Sequence, residues 1–308
     1  MEKNAKIYVA GHNGLVGSAI VRALKREGYS NIVFRPSKEL DLRDQKATDE
    51  FFSNEKPEYV FLAAAKVGGI KANMENPVDF IYDNIQIQNN VIHSSWKHNV
   101  KKLLFLSSNC VYPKDAPQPY KEESILTGPP EQTNEYYAIA KLSGMKLCQA
   151  YNSQHKTNFI IAIPASLFGQ NDDFYSENSH LIPALIKKIH NAKENNLKEV
   201  VIWGTGTPRR EIMYVDDAAD ACIFLMKNYN SSEPINIGTG KDFAIKDIAN
   251  TINKIVGFKG LITQDTTKPD GIKKKLLDSS KIFSLGWKPK KEIENALKET
   301  YDWYINHL

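Results

Sequence analysis

The sequence predicts an α/β protein with a doubly wound parallel sheet followed by a smaller C-terminal α/β domain. Three observations indicate this class. Short apolar runs alternate with helical patterns, a glycine-rich turn follows the first run, and the pattern becomes irregular after residue 168. Strands that are apolar throughout are typical of parallel sheets covered by helices on both faces. We expect one domain over residues 1–168 and a second over residues 169–308.

The elements can be located in chain order from these patterns. The predicted strands of the first domain cover residues 6–11, 31–34, 58–64, 102–108 and 158–164. The predicted helices between them cover residues 16–28, 47–55, 77–98 and 135–154. In the second half we predict helices over 181–193, 215–228, 245–257 and 292–308, and a strand entering a glycine turn over 200–210. We expect the helix at 215–228 to pack back on the first domain.

The composition favours a soluble globular protein. Of 308 residues, 42% are apolar and 25% charged, and the net charge is only +4, so neither nucleic acid nor a membrane is an expected partner. The N-terminus lacks the features of a secretion signal, and the longest notable apolar run, 59–65, is too short to span a bilayer. The three cysteines, Cys110, Cys148 and Cys222, are too few for a disulfide framework or zinc site. We expect a cytoplasmic protein with reduced thiols and no metal.

The turn over residues 11–17, GHNGLVG, predicts a dinucleotide site. Gly11 permits a tight turn, Gly14 allows the backbone to approach a pyrophosphate, and Gly17 allows close helix–strand packing. The helix that follows offers free N–H groups and partial positive charge to phosphate. We therefore predict a Rossmann-type domain. The other residues of the turn predicted to contact the cofactor are His12, Asn13, Leu15 and Val16.

The end of the second strand indicates which dinucleotide binds. Arg35 and Lys38 follow this strand with no immediate acidic residue. An acid would hold the ribose hydroxyl of NAD, whereas cations favour a 2′-phosphate. We therefore predict NADP(H), with Asp41 and Leu42 bordering the adenine.

Tyr137 and Lys141 lie four residues apart on the helix predicted over 135–154, so they share one face. A nearby ammonium would favour the phenolate and lower the tyrosine pKa, which makes Tyr137 a candidate acid–base group. Tyr136 points away from this face.

The glycine turn, a serine ending the fourth strand and the YxxxK pattern together resemble the extended short-chain dehydrogenase/reductases that act on nucleotide sugars. The resemblance covers nearly the whole chain. It is narrowed by residues 62–73, 134–141, 178–186, 201–217 and 268–278. These stretches resemble members that epimerise C3 and C5 of a GDP-linked 4-keto-6-deoxy sugar and then reduce C4 with NADPH. The resemblance implies a GDP-sugar substrate and a homodimer, paired through the YxxxK helix and the long helix before it.

The resemblance also implies roles for residues 107–110. Ser108 would hold the C4 oxygen beside Tyr137, with Ser107 on the cofactor side. Members that dehydrate a sugar carry an Asp-Glu pair in the next two positions, where this chain has Asn109 and Cys110. Dehydration is therefore disfavoured, and a thiol remains beside the sugar ring.

Cys110 and His180 are the epimerising pair that the resemblance implies. Removal of a proton beside the ketone gives an enolate, and a second group must return the proton on the opposite face. Asn178 and Ser179 are good helix N-caps, so we expect a helix N-terminus that keeps His180 near neutral. From residue type alone, Cys110 could equally be a small core residue and His180 an ordinary loop histidine.

The remaining expected contacts are carried over from the family. Substrate contacts are expected at Lys188, Trp203, Arg210, Asp270 and Lys274. Further cofactor contacts are expected at Leu106, Ser107, Lys141, Pro164, Ala165, Ser166, Leu167 and His180. Lys188 and Lys274 replace family arginines, and Asn13 replaces an arginine found in some members.

Three other functions remain open from the sequence. One is a related epimerase-reductase of the colitose-synthase type, which epimerises only C5. Another is a 4-epimerase that retains NAD, which Arg35 and Lys38 argue against. The third is a cofactor-binding sensor without catalysis, which the intact serine, tyrosine and lysine argue against.

Overall fold

The computed structural model describes residues 1–175, 179–268 and 270–308. Its strands are β1 (Ile7–Ala10), β2 (Ile32–Val33), β3 (Tyr59–Leu62), β4 (Lys102–Leu106), β5 (Phe159–Pro164), β6 (Ser166–Phe168), β7 (Glu199–Trp203), β8 (Arg209–Arg210), β9 (Ile212–Tyr214), β10 (Ile235–Ile237), β11 (Phe243–Ala244), β12 (Leu261–Asp265) and β13 (Lys274–Lys275). Its helices are α1 (Leu15–Arg26), α2 (Gln45–Glu55), α3 (Ile70–Glu75), α4 (Pro77–Lys97), α5 (Glu135–His155), α6 (Leu181–Glu194), α7 (Val215–Asn228), α8 (Ile245–Val256), α9 (Ser280–Ser284) and α10 (Ile293–Ile305).

The main sheet has six strands in the order β10-β5-β4-β3-β1-β2. Every neighbouring pair in it is parallel. The order runs outward from β1 in both directions, which gives two windings and places the carboxyl ends of β1 and β4 on one edge. Strands β4 and β5 are buried along their full length, as their apolar sequences predict. The predicted fold class is confirmed.

Helix α7 packs against α1 on one face of this sheet. Arg22 of α1 pairs with Asp216 of α7 at 2.5 Å, and Arg26 pairs with Asp220. The buried apolar residues form one large cluster around the main sheet and a second that joins α6, α8 and α10. Because β10 comes from the C-terminal half yet joins the main sheet, the chain crosses between the clusters, and the domain boundary at 168 stays a prediction.

Residues 273–278, which we call the strap, bridge two distant parts of the chain. On one side the N–H of Arg209 donates to the carbonyl of Lys273 (2.8 Å). On the other side the N–H of Tyr120 donates to the carbonyl of Leu276 (2.8 Å), and the N–H of Asp278 donates back to Tyr120 (2.9 Å). The strap therefore connects β8 to the segment that follows β4.

The structure departs from the sequence prediction in local details. Residues 200–210 form two strands, β7 and β8, because Gly204 and Gly206 adopt positive φ (+73° and +69°) and turn the chain between them. Helix α3 was not predicted, since six residues are too few to show a helical period. In the part of the chain that the structure describes, every helix is too short or too polar to cross a bilayer.

Candidate active site

The turn over residues 11–17 is packed too closely for side chains at Gly11 and Gly17. Gly11 has φ +85°, and a Cβ there would lie 2.7 Å from the backbone nitrogen of Ala64. A Cβ on Gly17 would lie 2.1 Å from the carbonyl oxygen of Gly11. Gly14 is the N-cap of α1, and the first turn contains no acidic side chain. The free N–H groups at this helix end thus suit an anion such as the pyrophosphate of a dinucleotide.

The residues after β2 provide the cations predicted for a 2′-phosphate. Arg35 is exposed and pairs with Glu55 at 2.7 Å, while its Nη1 donates to the carbonyl of Phe34 (2.8 Å). Lys38 is exposed and makes no ion pair with any described residue. His12 stacks on Phe34, with 4.5 Å between ring centroids. The donor set fits NADP(H), although Arg35 would have to divide its charge between Glu55 and the phosphate.

Asp41 and Leu42 make local contacts beyond β2. Asp41 pairs with Arg43 at 2.8 Å, which holds the pKa of this carboxyl below its usual range. The side chain of Asn90 donates to the carbonyl of Leu42 (2.9 Å). These contacts fix the loop, and its role beside the adenine stays a prediction.

Lys141 of α5 reaches with its side chain to the end of β4. It is 3% exposed, and its Nζ donates to the carbonyl of Leu106 at 2.9 Å. Burial lowers the pKa of Lys141 to about 8. Its Nζ lies 5.8 Å from the ring centroid of Tyr137, so the one-face arrangement predicted from the spacing is confirmed.

The expected pKa of Tyr137 was wrong in direction. Burial raises the pKa of this phenol well above its usual range, and hydrogen bonding to Ser108 only partly opposes the change. The physical reason is that removing a phenolate from water costs more than its surroundings return. Tyr137 is therefore a protonated group at neutral pH.

Helix α5 is fixed against α4 by a residue that the sequence reasoning missed. Gln88 of α4 donates from Nε2 to the carbonyl of Ala140 (2.7 Å) and to Ser143 (2.8 Å). Gly144 permits this approach, because a Cβ there would lie 2.6 Å from the Oε1 of Gln88. A glutamine within a polar-looking helix pattern gave no indication of this role.

Ser107 and Ser108 follow directly after β4, and their side chains point to opposite faces of the sheet. Ser107 donates to the sulfur of Met145 at 3.1 Å. Ser108 accepts from the N–H of Cys110 at 3.4 Å and also interacts with Tyr137. The strand alternation explains the split, since successive side chains point to opposite faces. Ser108, Cys110 and Tyr137 are thus brought together.

Cys110 is reduced and 5% exposed. Burial raises the pKa of its thiol, while Ser108 and the ammonium groups of Lys275 and Lys141 oppose that increase. The thiol thus lies among groups that favour its ionised form, unlike Cys148 and Cys222, whose pKa values burial also raises. This surrounding separates Cys110 from an ordinary core cysteine.

His180 is itself the N-cap of α6, with φ −69° and ψ 170°. The predicted cap at 178–179 is corrected in that respect, and Asn178 lies outside the described residues. The residue as a whole is exposed, yet the protein around the imidazole keeps water from part of it; this desolvation lowers the pKa of His180, and Asp173 opposes the change. A neutral imidazole is therefore favoured, which is the direction expected from the sequence, but the cause is desolvation and not the helix end on which that expectation was based.

Strand β13 shows which strap lysine shares a face with Arg210. Lys274 lies opposite Arg209 and Lys275 opposite Arg210 in the parallel register. Lys274 and Arg209 both pair with Asp242, at 3.2 and 2.6 Å, on the other face. Lys275 is close enough to Arg210 and Cys110 to affect, and be affected by, their charges. The sequence reasoning named Lys274 and missed Lys275, because a run of three lysines does not reveal which one faces the site.

Arg210 is partly buried, and its Nη1 donates to the carbonyls of Arg209 (2.8 Å) and Ile272 (2.7 Å). Burial lowers its pKa, with Tyr120 opposing. Among the residues that the structure describes, no carboxylate pairs with the Arg210 guanidinium, so its charge is available to an anionic ligand.

The other predicted substrate contacts gather around β7 and the turn that follows it. Trp203 is 73% exposed, with the Nζ of Lys268 5.9 Å from its ring. Asp270 accepts from the N–H (2.9 Å) and hydroxyl (2.7 Å) of Thr205. Lys188 donates to the carbonyl of Val201. Their roles as substrate contacts stay predictions.

The predicted cofactor segment 164–167 follows β5 and enters β6. The N–H of Ala165 donates to Ile237 (2.8 Å), and that of Ser166 donates to the carbonyl of Glu211 (3.3 Å). Pro164 and Leu167 belong to paired strands on either side. This segment lies at the same sheet edge as Leu106 and Ser107.

The parallel sheet, the glycine turn and the Tyr137–Lys141 pair define a dinucleotide-dependent enzyme of the epimerase and dehydrogenase kind. Sequence comparison finds the same class. The model of the NAD dependent epimerase/dehydratase family matches residues 7–238, and the chain belongs to this family. Among its relatives, a putative GDP-L-fucose synthase 2 of Arabidopsis thaliana is 56% identical over 308 residues, which is 100% of this chain and 94% of that protein.

Two solved structures are similar over nearly their whole length. A GDP-6-OMe-4-keto-L-xylo-heptose reductase from C. jejuni has a TM-score of 0.95 and 40% identity, covering 100% of this chain and 99% of its own. A GDP-L-fucose synthetase from Naegleria fowleri bound to NADP has a TM-score of 0.93 and 32% identity, covering 100% and 96%. The predicted relationship to GDP-sugar epimerase-reductases is therefore confirmed.

Proposed function

We propose that this protein catalyses the NADPH-dependent 3,5-epimerisation and 4-reduction of GDP-4-keto-6-deoxy-D-mannose, which yields GDP-L-fucose. The observation that carries the proposal is the meeting of Ser108, Cys110 and Tyr137 at the end of β4, with Lys275 and Arg210 beside them. An acid–base thiol, a protonated phenol and two cations are the groups that this reaction on a diphosphate-linked ketone needs.

Epimerisation requires proton removal beside the ketone and return from the other face. Cys110 serves as one acid–base group, and Lys275 and Lys141 favour its thiolate. Ser108 and Tyr137 hold the C4 oxygen and stabilise the negative charge that it gains in the enolate. His180 serves as the second group, and its neutral imidazole can accept or return a proton.

Reduction uses the same ketone. NADP(H) is the cofactor, and when bound it supplies the hydride to C4. Tyr137 gives its proton to the C4 oxygen, a role that its raised pKa supports because the phenol starts protonated. Lys141 stabilises the phenolate that results and lies beside the cofactor edge at Leu106.

The diphosphate of the substrate would lie near Arg210 and Lys275, which carry the charge on one face of β8 and β13. Trp203 offers an exposed ring on which a guanine can stack. Lys188 and Asp270 complete the proposed substrate contacts, whereas Lys274, expected as a contact from the sequence, pairs with Asp242 on the other face of β8 and β13.

A second candidate substrate is another GDP-linked keto sugar. The likeness to the C. jejuni heptose reductase favours this alternative, because that relative acts on a 4-keto heptose and shares the full fold. Epimerisation at C5 alone would place the protein with the colitose-synthase type.

The homodimer and the cytoplasmic location are also proposals. Helices α4 and α5 leave large side chains exposed, with Tyr82, Tyr136 and Ile139 exposed by 58, 46 and 38%. Burying them against a second copy would give a four-helix contact. Sedimentation equilibrium should return the mass of two chains; a monomer at micromolar concentration would contradict this.

One assay tests the function. Purified protein receives GDP-4-keto-6-deoxymannose and NADPH in heavy water, and the sugar product is examined by mass spectrometry and NMR. We expect NADPH consumption with deuterium at both C3 and C5. Deuterium at C5 alone would indicate the colitose type, and reduction without deuterium would leave a simple reductase. Protein that binds NADPH but consumes none with any 4-keto GDP-sugar would be the sensor.

A further inference from the structure

Glu211 is a buried carboxylate at the junction of β8 and β9, 1% exposed. Its Oε1 accepts from the backbone N–H groups of Thr239 (2.7 Å) and Gly240 (2.8 Å), and its Oε2 accepts from Leu277 (2.8 Å). No ion pair joins it to a cation within residues 1–175, 179–268 and 270–308. Burial raises its pKa, which these hydrogen bonds oppose. A buried charge without a cation is retained only where such donors surround it.

The backbone of Glu211 joins the same region to two more segments. Its N–H donates to the carbonyl of Lys275 (2.9 Å), and its carbonyl accepts from Ser166 (3.3 Å). Gly238 leaves the space that the carboxylate occupies, because a Cβ there would lie 2.4 Å from Oε1. Glu211 therefore holds three segments together by hydrogen bonds: the strap, the proposed cofactor segment and the turn after β10.

The strap needs such a fastening because it brings like charges together. Lys275 and Arg210 are register partners; burial lowers the pKa of Lys275, and electrostatic repulsion from the guanidinium of Arg210 lowers it further. Burial adds to the cost of holding both charges. Glu211 follows Arg210 directly and bonds the strap at Leu277, two residues beyond Lys275.

We propose that Glu211 is a positioning residue for the diphosphate side of the substrate site. It holds the strap so that Lys275 stays beside Arg210 and Cys110. This inference rests on the proposed function, in which those two cations bind a nucleoside diphosphate. Glu211 itself touches no reacting atom.

The test compares Glu211→Gln with Asp217→Asn. Asp217 is also buried, 6% exposed, and also accepts backbone N–H groups from a distant segment, at Lys290 (3.2 Å) and Lys291 (3.0 Å). It lies in α7, away from the strap. Both variants exchange a buried carboxylate for an amide whose NH₂ faces a backbone donor. The readouts are GDP affinity by calorimetry, the alkylation rate of Cys110 by iodoacetamide at fixed pH, and thermal unfolding.

For Glu211→Gln we expect GDP affinity to fall about tenfold. We also expect slower alkylation of Cys110, because a displaced ammonium no longer favours its thiolate. Asp217→Asn should lower the unfolding temperature and leave both other readouts within about twofold of wild type. Equal changes in the two variants, or an unchanged Glu211→Gln, would overturn the positioning role.

Gly238→Ala provides a second variant if Glu211→Gln does not fold, since its methyl group displaces the carboxylate without removing it. It should change GDP affinity and Cys110 alkylation in the same directions, and wild-type values would again overturn the proposal. The two proposals fail separately. Wild-type protein that binds GDP but turns over no 4-keto sugar contradicts the proposed function alone, whereas intact turnover with insensitive variants contradicts only the role of Glu211.

Discussion

The phosphate turn and the strap both prepare the protein for anionic groups, but they do so with different parts of the chain. The turn uses backbone N–H groups, and its shape depends on the absence of side chains at Gly11 and Gly17. The strap uses long cationic side chains, and its shape depends on pairing with β8 and on Glu211. One is specified within seven consecutive residues, and the other by contacts between residues more than sixty positions apart.

This difference has a consequence for specificity. A turn of backbone groups binds the phosphates common to all dinucleotides, so variation there should damage binding generally. A strap of side chains can change its charge and reach without changing the fold. We therefore expect relatives to share the same mode of cofactor binding. Their substrate preference should instead depend on the side chains of the strap.

Cys110→Ser should have the largest effect, because it alters the proposed acid–base group itself, which lies beside Lys275 of the strap. A serine hydroxyl is a much weaker acid than a thiol, and a lost acid–base group typically costs about 10²–10⁴-fold in rate. Deuterium incorporation at C3, measured by NMR in heavy water, should fall by that order. NADPH affinity should be unchanged, since the cofactor turn is untouched. Undiminished incorporation would remove the thiol from the mechanism.

A comparison of Gly17→Ala with Gly14→Ala should distinguish two roles of glycine in the phosphate turn, close packing at residue 17 and approach to the phosphate at residue 14. The methyl group at residue 17 would lie 2.1 Å from Gly11, whereas at residue 14 the nearest neighbour is 3.5 Å away. Overpacking of this kind costs roughly 1–3 kcal/mol. Denaturant unfolding should show that loss for Gly17→Ala and almost none for Gly14→Ala.

Both glycine variants should bind NADPH more weakly, by fluorescence titration, because each alters the surface that faces the phosphate. Equal stability of the two variants would contradict the packing role of Gly17. Unchanged NADPH affinity in Gly14→Ala would contradict the close approach of backbone to pyrophosphate.

The sequence predicts those features of the fold that local patterns encode. Apolar runs located β1, β3, β4 and β5, and a spacing of four placed Tyr137 beside Lys141, because helix geometry alone decides which residues share a face. The tyrosine pKa was predicted with the wrong sign, since the spacing shows the ammonium but not the burial that outweighs it. Lys275 was missed for a similar reason. Its orientation follows from the register with β8, which no nearby residue specifies.

Lys275→Met and Lys274→Met test, with the smallest expected effect, which side chain of the strap faces the substrate. Met keeps the length of the side chain and removes its charge. A hydrogen bond to a charged group is worth about 1.5–3 kcal/mol, so Lys275→Met should raise KM for the GDP-sugar about tenfold or more. Lys274→Met should change it little, because that lysine pairs with Asp242 on the other face.

The pH profile of C3 exchange should distinguish the two lysines as well. The ammonium of Lys275 opposes the increase that burial causes in the pKa of Cys110. Without that charge the pKa rises further, so the exchange rate of Lys275→Met should require a higher pH to reach half of its maximum, whereas the Lys274→Met profile should match wild type. If instead Lys274→Met moves the profile and Lys275→Met does not, the side-chain directions read from the register of β8 and β13 are wrong, and the strap presents its other face to the substrate.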